Sequence, residues 1–250
     1  LRAQIHIIEN NLRTRDYTFD YEKQPSRAMF KYKQAFIRND QERYMTFLNN
    51  VLQGKATLHA DNVAPYELIR PYMTWNWNGP SLETMSKSEK DALNASWASL
   101  LDFCSDEDML AVVDTSGSMH SSYGLPAAVA LSLGLYLAEH NKGRFRNHFI
   151  EFSERPQLIR LKGETFVDKL RYILTFDEIA DTNLEAVFQL ILCVAVKNKL
   201  PQKELPGKLV IISDMEFNVC VTNASETNFE NARRRYEAYG YKLPEIVFWN

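Results

Sequence analysis

Cysteine is scarce and oddly placed in this chain. The three residues, at positions 104, 193 and 220, have neither the number nor the spacing of a disulfide framework or a zinc site. Reduced thiols in an intracellular, cytoplasmic setting are therefore implied. Glycine and proline are few as well, nine of each, which excludes collagen-like and linker-rich architectures. The longest apolar stretch, around Leu125 to Ala138, is interrupted by Ser132 and Gly134 and reads as too short to cross a bilayer, so the chain reads as soluble, with no membrane partner. Charge of one sign is missing too. Residues 1–105 carry 13 basic and 12 acidic side chains, and residues 106–250 carry 16 and 20, so neither part has the polycationic bias that duplex DNA binding by counterion release requires.

What remains is ordinary globular composition, 45% apolar over 250 residues, enough for one large domain or a domain with a smaller companion. Residues 1–105 read as a helical, aromatic-rich region. Phe30, Ile37, Tyr44, Phe47, Leu48, Val51 and Leu52 recur at helical spacing from Arg27 onward, and Gly54 stops that helix. Pro65, Pro71 and Pro80 punctuate the next stretch into short helices and turns, with Trp75 and Trp77 as packing anchors, and Ser88-Glu89-Lys90-Asp91 reads as the cap of another helix.

From Met109 short apolar runs alternate with helical patterns. Strands are expected at Met109–Val113, His148–Phe152, Gln157–Leu161, Lys208–Ser213 and Glu245–Trp249. Helices are expected at Leu125–Asn141, Gly163–Leu174, Leu184–Lys199 and Asn228–Tyr239. Fully apolar strands separated by helices predict an α/β domain, a doubly wound and mostly parallel sheet covered on both faces. The chain starts at Leu1 without an initiator Met, as a processed chain or an excised fragment does, and it stops on a strand, so residues 106–250 read as a domain incomplete at its C-terminal end.

In a parallel sheet the carboxyl ends of the strands share one edge, where ligands bind. Two strands end there in similar chemistry, Val113-Asp114-Thr115-Ser116-Gly117-Ser118 and Ile212-Ser213-Asp214, and Asp181-Thr182-Asn183-Leu184-Glu185 opens a helix at the same edge. Asp114, Ser116, Ser118, Thr182 and Asp214 offer only carboxylate and hydroxyl oxygens. That set suits a hard cation, magnesium first, with manganese or calcium as alternatives. Neutral hydroxyls leave such an ion short of negative charge, so a carboxylate from a protein partner fits the remaining position. Thr182 with Glu185 also fits a helix capping box, which needs no metal.

Asp-x-Ser-x-Ser after an apolar strand, a Thr before a later helix and Ser-Asp after the next strand together resemble the metal-ion-dependent adhesion site of von Willebrand factor A domains, over residues 109–250. Met215-Glu216-Phe217, Tyr239-Gly240-Tyr241 and the terminal Pro244 to Asn250, with Lys31-Tyr32-Lys33 and Gly54-Lys55-Ala56 near the front, are similar to domain-of-unknown-function family 2828, which joins a helical front to an A-like domain. The resemblance implies a Rossmann-like fold and a magnesium-dependent binding module rather than an enzyme. Two departures stand out: Asp181 beside Thr182, and Met215-Glu216 after Asp214, where many A domains have glycine. Asp181 and Glu216 thus become candidates for the surroundings of the cation.

Other chemistries fit less well. Asp114-Thr115-Ser116 lacks the glycine of an aspartic protease, Ser116 and Ser118 lack a nucleophile elbow, and His120 reads as a solvent-facing side chain. Metal-assisted hydrolysis would need a general base such as Glu216. A helical segment ahead of an A domain is also similar in plan to the Ro ribonucleoprotein, which implies contact with single-stranded RNA. Arg27, Lys31, Lys33 and Arg38 are the candidate contacts, with Gln34, Arg43, Tyr32 and Phe36 nearby; an ordinary solvated helix face is the competing reading. Arg233-Arg234-Arg235 reads as a solvent face.

Overall fold

The computed structural model describes residues 7–73, 79–104, 108–153, 155–176, 183–214 and 225–250. Trp75 and Trp77 lie outside these residues. Five helices come first: α1 (Ile8–Thr14), α2 (Ser26–Asn39), α3 (Gln41–Leu52), α4 (Pro65–Ile69) and α5 (Lys87–Ala98). A five-stranded sheet with its helices follows: β1 (Met109–Asp114), α6 (Ser121–His140), β2 (His148–Phe152), β3 (Gln157–Arg160), α7 (Phe166–Ile173), α8 (Leu184–Lys197), β4 (Lys208–Ile212), α9 (Ser225–Ala238) and β5 (Glu245–Trp249). The sheet order is β3-β2-β1-β4-β5, with β3 alone antiparallel to its neighbour. The doubly wound, mostly parallel α/β architecture expected from the sequence is the one observed.

Why the strands read so plainly is visible in their packing. Side chains alternate across a strand, and here both faces are covered. Ala111 and Val113 of β1, with Val210 and Ile212 of β4, join one core beneath α6 and α7. Leu110 and Val112, with Leu209 and Ile211, join a second core beneath α8 and α9. A strand buried on both faces must be apolar throughout.

The helical front departs from the expectation in two places. The single helix from Arg27 to Gly54 is two helices, broken at Asp40 (φ −146°, ψ 45°). Asp40 accepts hydrogen bonds from the Tyr21 hydroxyl (2.8 Å), which lies outside the helical segment, and from the Arg43 guanidinium of α3 (3.1 Å), and these contacts hold the break. Gly54 does follow the end of α3, at a φ of +69°. The cap of α5 is Ser86, two residues earlier than Ser88: its hydroxyl accepts the Glu89 N–H while the Glu89 carboxylate accepts the Ser86 N–H.

Helix α5 has two faces. Ala92 and Ala95 pack into a front core of Ile8, Tyr21, Met29, Phe36, Tyr44 and Leu48. Leu93 and Trp97 belong instead to the core that runs beneath α6 and into the sheet. The Trp97 ring stacks on Phe166 of α7 at 4.2 Å, and its indole N–H donates to Glu139 of α6 (2.6 Å), whose other oxygen accepts from Lys169. Packing thus crosses the sequence division near residue 105.

Helix α6, with the 3-10 turn before it, makes a 24-residue segment that by length and composition alone is apolar enough to span a bilayer, which the sequence reading denied. The apolarity has another cause here. Ala127, Ala128, Ala130, Leu131 and Leu135 are buried against the sheet.

Candidate cation site at the carboxyl edge

Strand β1 sends the chain to β2 on one side, and β4 lies on its other side, so sheet order reverses between β1 and β4. Ligand crevices form at such a switch point. Val113 pairs with Ile212 in the parallel register, which sets Asp114 and the Ser213-Asp214 pair side by side at the carboxyl edge.

Asp114 is 1% exposed, and both its oxygens are engaged. Oδ1 accepts the backbone N–H of Ser116 (2.8 Å) and Oδ2 accepts the Ser213 hydroxyl (2.5 Å). These bonds fix the carboxylate while using about two of its roughly four acceptor positions. The Ser116 and Ser118 hydroxyls lie 3.1 Å apart, both half-buried, because the chain turns into a 3-10 turn at Gly117–His120 directly after the strand. Asp214 is half-buried, and its backbone N–H meets the Met119 sulfur at 3.3 Å, which packs it against that same turn. Asp114, Ser116, Ser118 and Asp214 are thus brought to one edge.

Thr182, Asp181 and Glu216 lie outside the described residues. Helix α8, which follows Thr182 in sequence, is capped by Asn183, whose side chain accepts the Ala186 N–H (3.0 Å). Among the described residues no group of three or more His, Cys, Asp or Glu side chains is placed to hold a metal. The donors brought together are hydroxyls and two carboxylates, a set of hard oxygens that matches magnesium with retained water.

Two features escaped the sequence reading. Ser213, 2% exposed, is the direct partner of Asp114, a role visible only once the register of β1 and β4 is known. His120 is not a solvent-facing side chain: it is half-buried, with both ring nitrogens shielded from solvent.

Beyond the turn the backbone does something unusual. Ser122 (φ 53°), Tyr123 (φ 57°) and Gly124 (φ 69°) are consecutive left-handed residues, a conformation costing roughly 1–2 kcal/mol for each residue with a Cβ. Right-handed helix begins only after Gly124, which puts Pro126 in the first helical turn, where its missing N–H is no loss. The sequence expectation of a helix from Leu125 fits that right-handed part.

The basic residues of α2 are differently engaged. Arg27 pairs with Glu67 of α4 at 2.5 Å, and Gln34 donates to Glu89 of α5. Lys33 lies over the Phe30 ring, and burial pulls its ammonium below the usual lysine range, with Glu89 opposing. Phe36 is fully buried and the Tyr32 hydroxyl donates to Glu9, whereas Lys31 and Arg38 are exposed. Arg233, Arg234 and Arg235 are exposed on α9, with Arg235 3.2 Å from Glu185.

With this geometry established, comparison with known proteins places the chain. Residues 108–250 match the domain of unknown function DUF7788, and residues 1–110 match the domain of unknown function DUF2828. The chain belongs to the DUF7788 family. Its helical front carries the DUF2828 match, so the sheet portion is described by a family model of its own. Uncharacterized protein L728 of Acanthamoeba polyphaga mimivirus is 30% identical over 264 residues, covering 100% of this chain and 44% of the relative. The chain therefore spans less than half of that relative's length. The crystal structure of the Deinococcus radiodurans Ro (RSR) protein aligns at a TM-score of 0.48 and 14% identity, over 99% of this chain and 53% of that one.

Proposed function

We propose that the carboxyl edge of β1 and β4 is a divalent-cation docking site, and that the chain is a non-enzymatic binding module holding an acidic group of a protein partner through magnesium. The observation that carries this reading is the fixed Asp114 carboxylate beside the paired Ser116 and Ser118 hydroxyls. Asp114 and Asp214 would supply charge, directly or through water, and the hydroxyls with Thr182 would supply neutral oxygens. Bound there, the ion supplies Lewis-acid attraction for an anion, and the protein's part is to keep the oxygens oriented and the ion short of charge.

Calorimetric titration with magnesium or manganese tests the reading. Binding should be present in the intact chain and abolished by Asp114→Ala. Since Asp114 also ties β1 to Ser213, a Ser116→Ala, Ser118→Ala double variant serves as a second test, with circular dichroism confirming the fold. Undiminished cation binding in both variants would discard the proposal.

A further inference from the structure

Tyr123 is 90% exposed, the most exposed large apolar side chain among the described residues. It sits mid-way in the left-handed run after the Ser116–Ser118 turn, a backbone conformation disfavoured for any residue with a Cβ. Strain of this kind persists where the surrounding structure or a function requires it. Tyr123 forms one wall of an open cleft of about 560 Å³, and the opposite wall belongs to the helical front: Phe30, Tyr66, Glu67, Arg70 and Met73. Met73 of this wall and Met119 of the turn that carries the candidate cation donors both belong to the core that runs beneath α6. Glu67 is already paired with Arg27, whereas Arg70 makes no ion pair among the described residues, which leaves the cleft with a net positive side chain.

The distance available is bounded by the chain itself. Tyr123 is five residues beyond Ser118, so the two are separated by at most about 17 Å, the reach of roughly five extended residues.

Resting on the cation reading above, we infer that the partner is an acidic peptide segment with a defined pattern. One carboxylate meets the cation, an aromatic or aliphatic side chain enters the cleft between Tyr123 and the Phe30 and Tyr66 rings, and a second carboxylate meets Arg70. A nucleic acid suits the cleft less well. A phosphate backbone needs several cations in a row, and here the wall offers one arginine with Glu67 beside it. Two discrete carboxylates need only the ion and Arg70. The helical front is thereby a specificity element for the site on the sheet.

The test is selection of a phage-displayed random heptapeptide library on the intact chain in manganese, with elution by chelator, followed by affinity measurements with the best synthetic peptide. Selected sequences should carry two acidic residues flanking an apolar one. Arg70→Glu and Tyr123→Ala should each weaken the peptide at least about tenfold while manganese binding, read by electron paramagnetic resonance, stays unchanged; Arg70→Lys should recover part of the loss. Tyr123→Gly separates function from fold: it should raise the melting temperature, because glycine accepts the left-handed conformation, and still weaken the peptide. Manganese binding retained with peptide affinity indifferent to Arg70→Glu and Tyr123→Ala would overturn the cleft alone. Absence of manganese binding in the unmodified chain would overturn the cation reading instead. Polyuridylate that binds the unmodified chain and is released by Arg70→Glu would assign the cleft to RNA and overturn the peptide.

Discussion

The helical front and the sheet domain solve the same burial problem with different side chains. In the front, rings do most of the filling. Tyr21 lies 5.1 to 5.6 Å from Phe19, Phe36, Tyr44 and Phe47, mostly at tilted or edge-on angles that suit aromatic quadrupoles. In the sheet domain, aliphatic side chains from β1 and β4 alternate between two cores, and helices close both faces. A few short helices offer little interior, so large rings are an efficient way to exclude water; a sheet offers two faces and is filled by branched residues in register. The difference matters because α5 belongs to both.

The largest effect should come from breaking that joint. Trp97→Ala removes a stacked ring, leaves the Glu139 carboxylate without the indole N–H, and opens a cavity between α5, α6 and α7. Truncation of a buried tryptophan costs about 3–5 kcal/mol. Denaturant unfolding followed separately by ring absorbance and far-ultraviolet dichroism should show a large drop in midpoint. If α5 couples the two regions, the variant's two signals will separate where those of the parent coincide. Coincident signals in the variant would mean the front and the sheet are joined elsewhere.

A smaller effect is expected within the sheet domain at Gly134→Ala. A Cβ there would stand 2.3 Å from Val113 Cγ2, so β1 and α6 must part slightly. Overpacking of this size costs about 1–3 kcal/mol, a fall of roughly 2–4 °C in melting temperature for each kcal/mol in a chain of this size. Val113 directly precedes Asp114, so cation affinity should fall with stability. Unchanged affinity would show that the carboxylate is insulated from its strand.

How much of this could be read from the sequence follows from what each feature depends on. The strands were legible because burial on both faces demands an unbroken apolar run, as in Leu110 to Val113 and Leu209 to Ile212. Asp114, Ser116 and Ser118 were legible because one strand end delivers all three. Ser213 was not recognised as the partner of Asp114, since that pairing depends on register between segments 99 residues apart. The break at Asp40 was hidden for a similar reason: the apolar spacing continues through it, and the groups that stabilise it include Tyr21, far outside the helix. Of the left-handed run, only Gly124 gave a signal; nothing in Ser122 or Tyr123 marks them for that conformation.

The front's counterpart to Gly134 is Tyr21→Phe, which keeps the ring and removes only the hydroxyl that donates to Asp40. A net loss of about 0.5–1.5 kcal/mol is expected from one such bond. Arg43 still holds Asp40, so the break between α2 and α3 should persist and the loss should stay at the low end. Denaturant midpoints of the two proteins measure it. A loss well above this range would mean that the hydroxyl, rather than the packed rings, organises the front.

The smallest effect lies at the sheet's opposite edge and shows itself only as pH dependence. Asp108 precedes β1, and burial raises its carboxyl above the ordinary value of 3.8, while hydrogen bonds from Asn141 and the Arg144 backbone pull the other way. Gly143 packs directly against it, with no room for a Cβ. The sign follows from linkage. Below 3.8 both the folded and the unfolded chain carry the proton. Between 3.8 and the raised folded value, the folded chain keeps a proton that the unfolded chain releases, so this residue's contribution makes stability fall as pH rises through that window; above it the loss is constant. Asp108→Asn removes the titration and keeps the shape. Melting temperatures measured from pH 4 to pH 7 should therefore decline less steeply in the variant than in the parent, with the gap widening toward neutrality. Parallel profiles would mean that this edge, opposite the candidate cation site, relaxes enough to hydrate the Asp108 carboxylate.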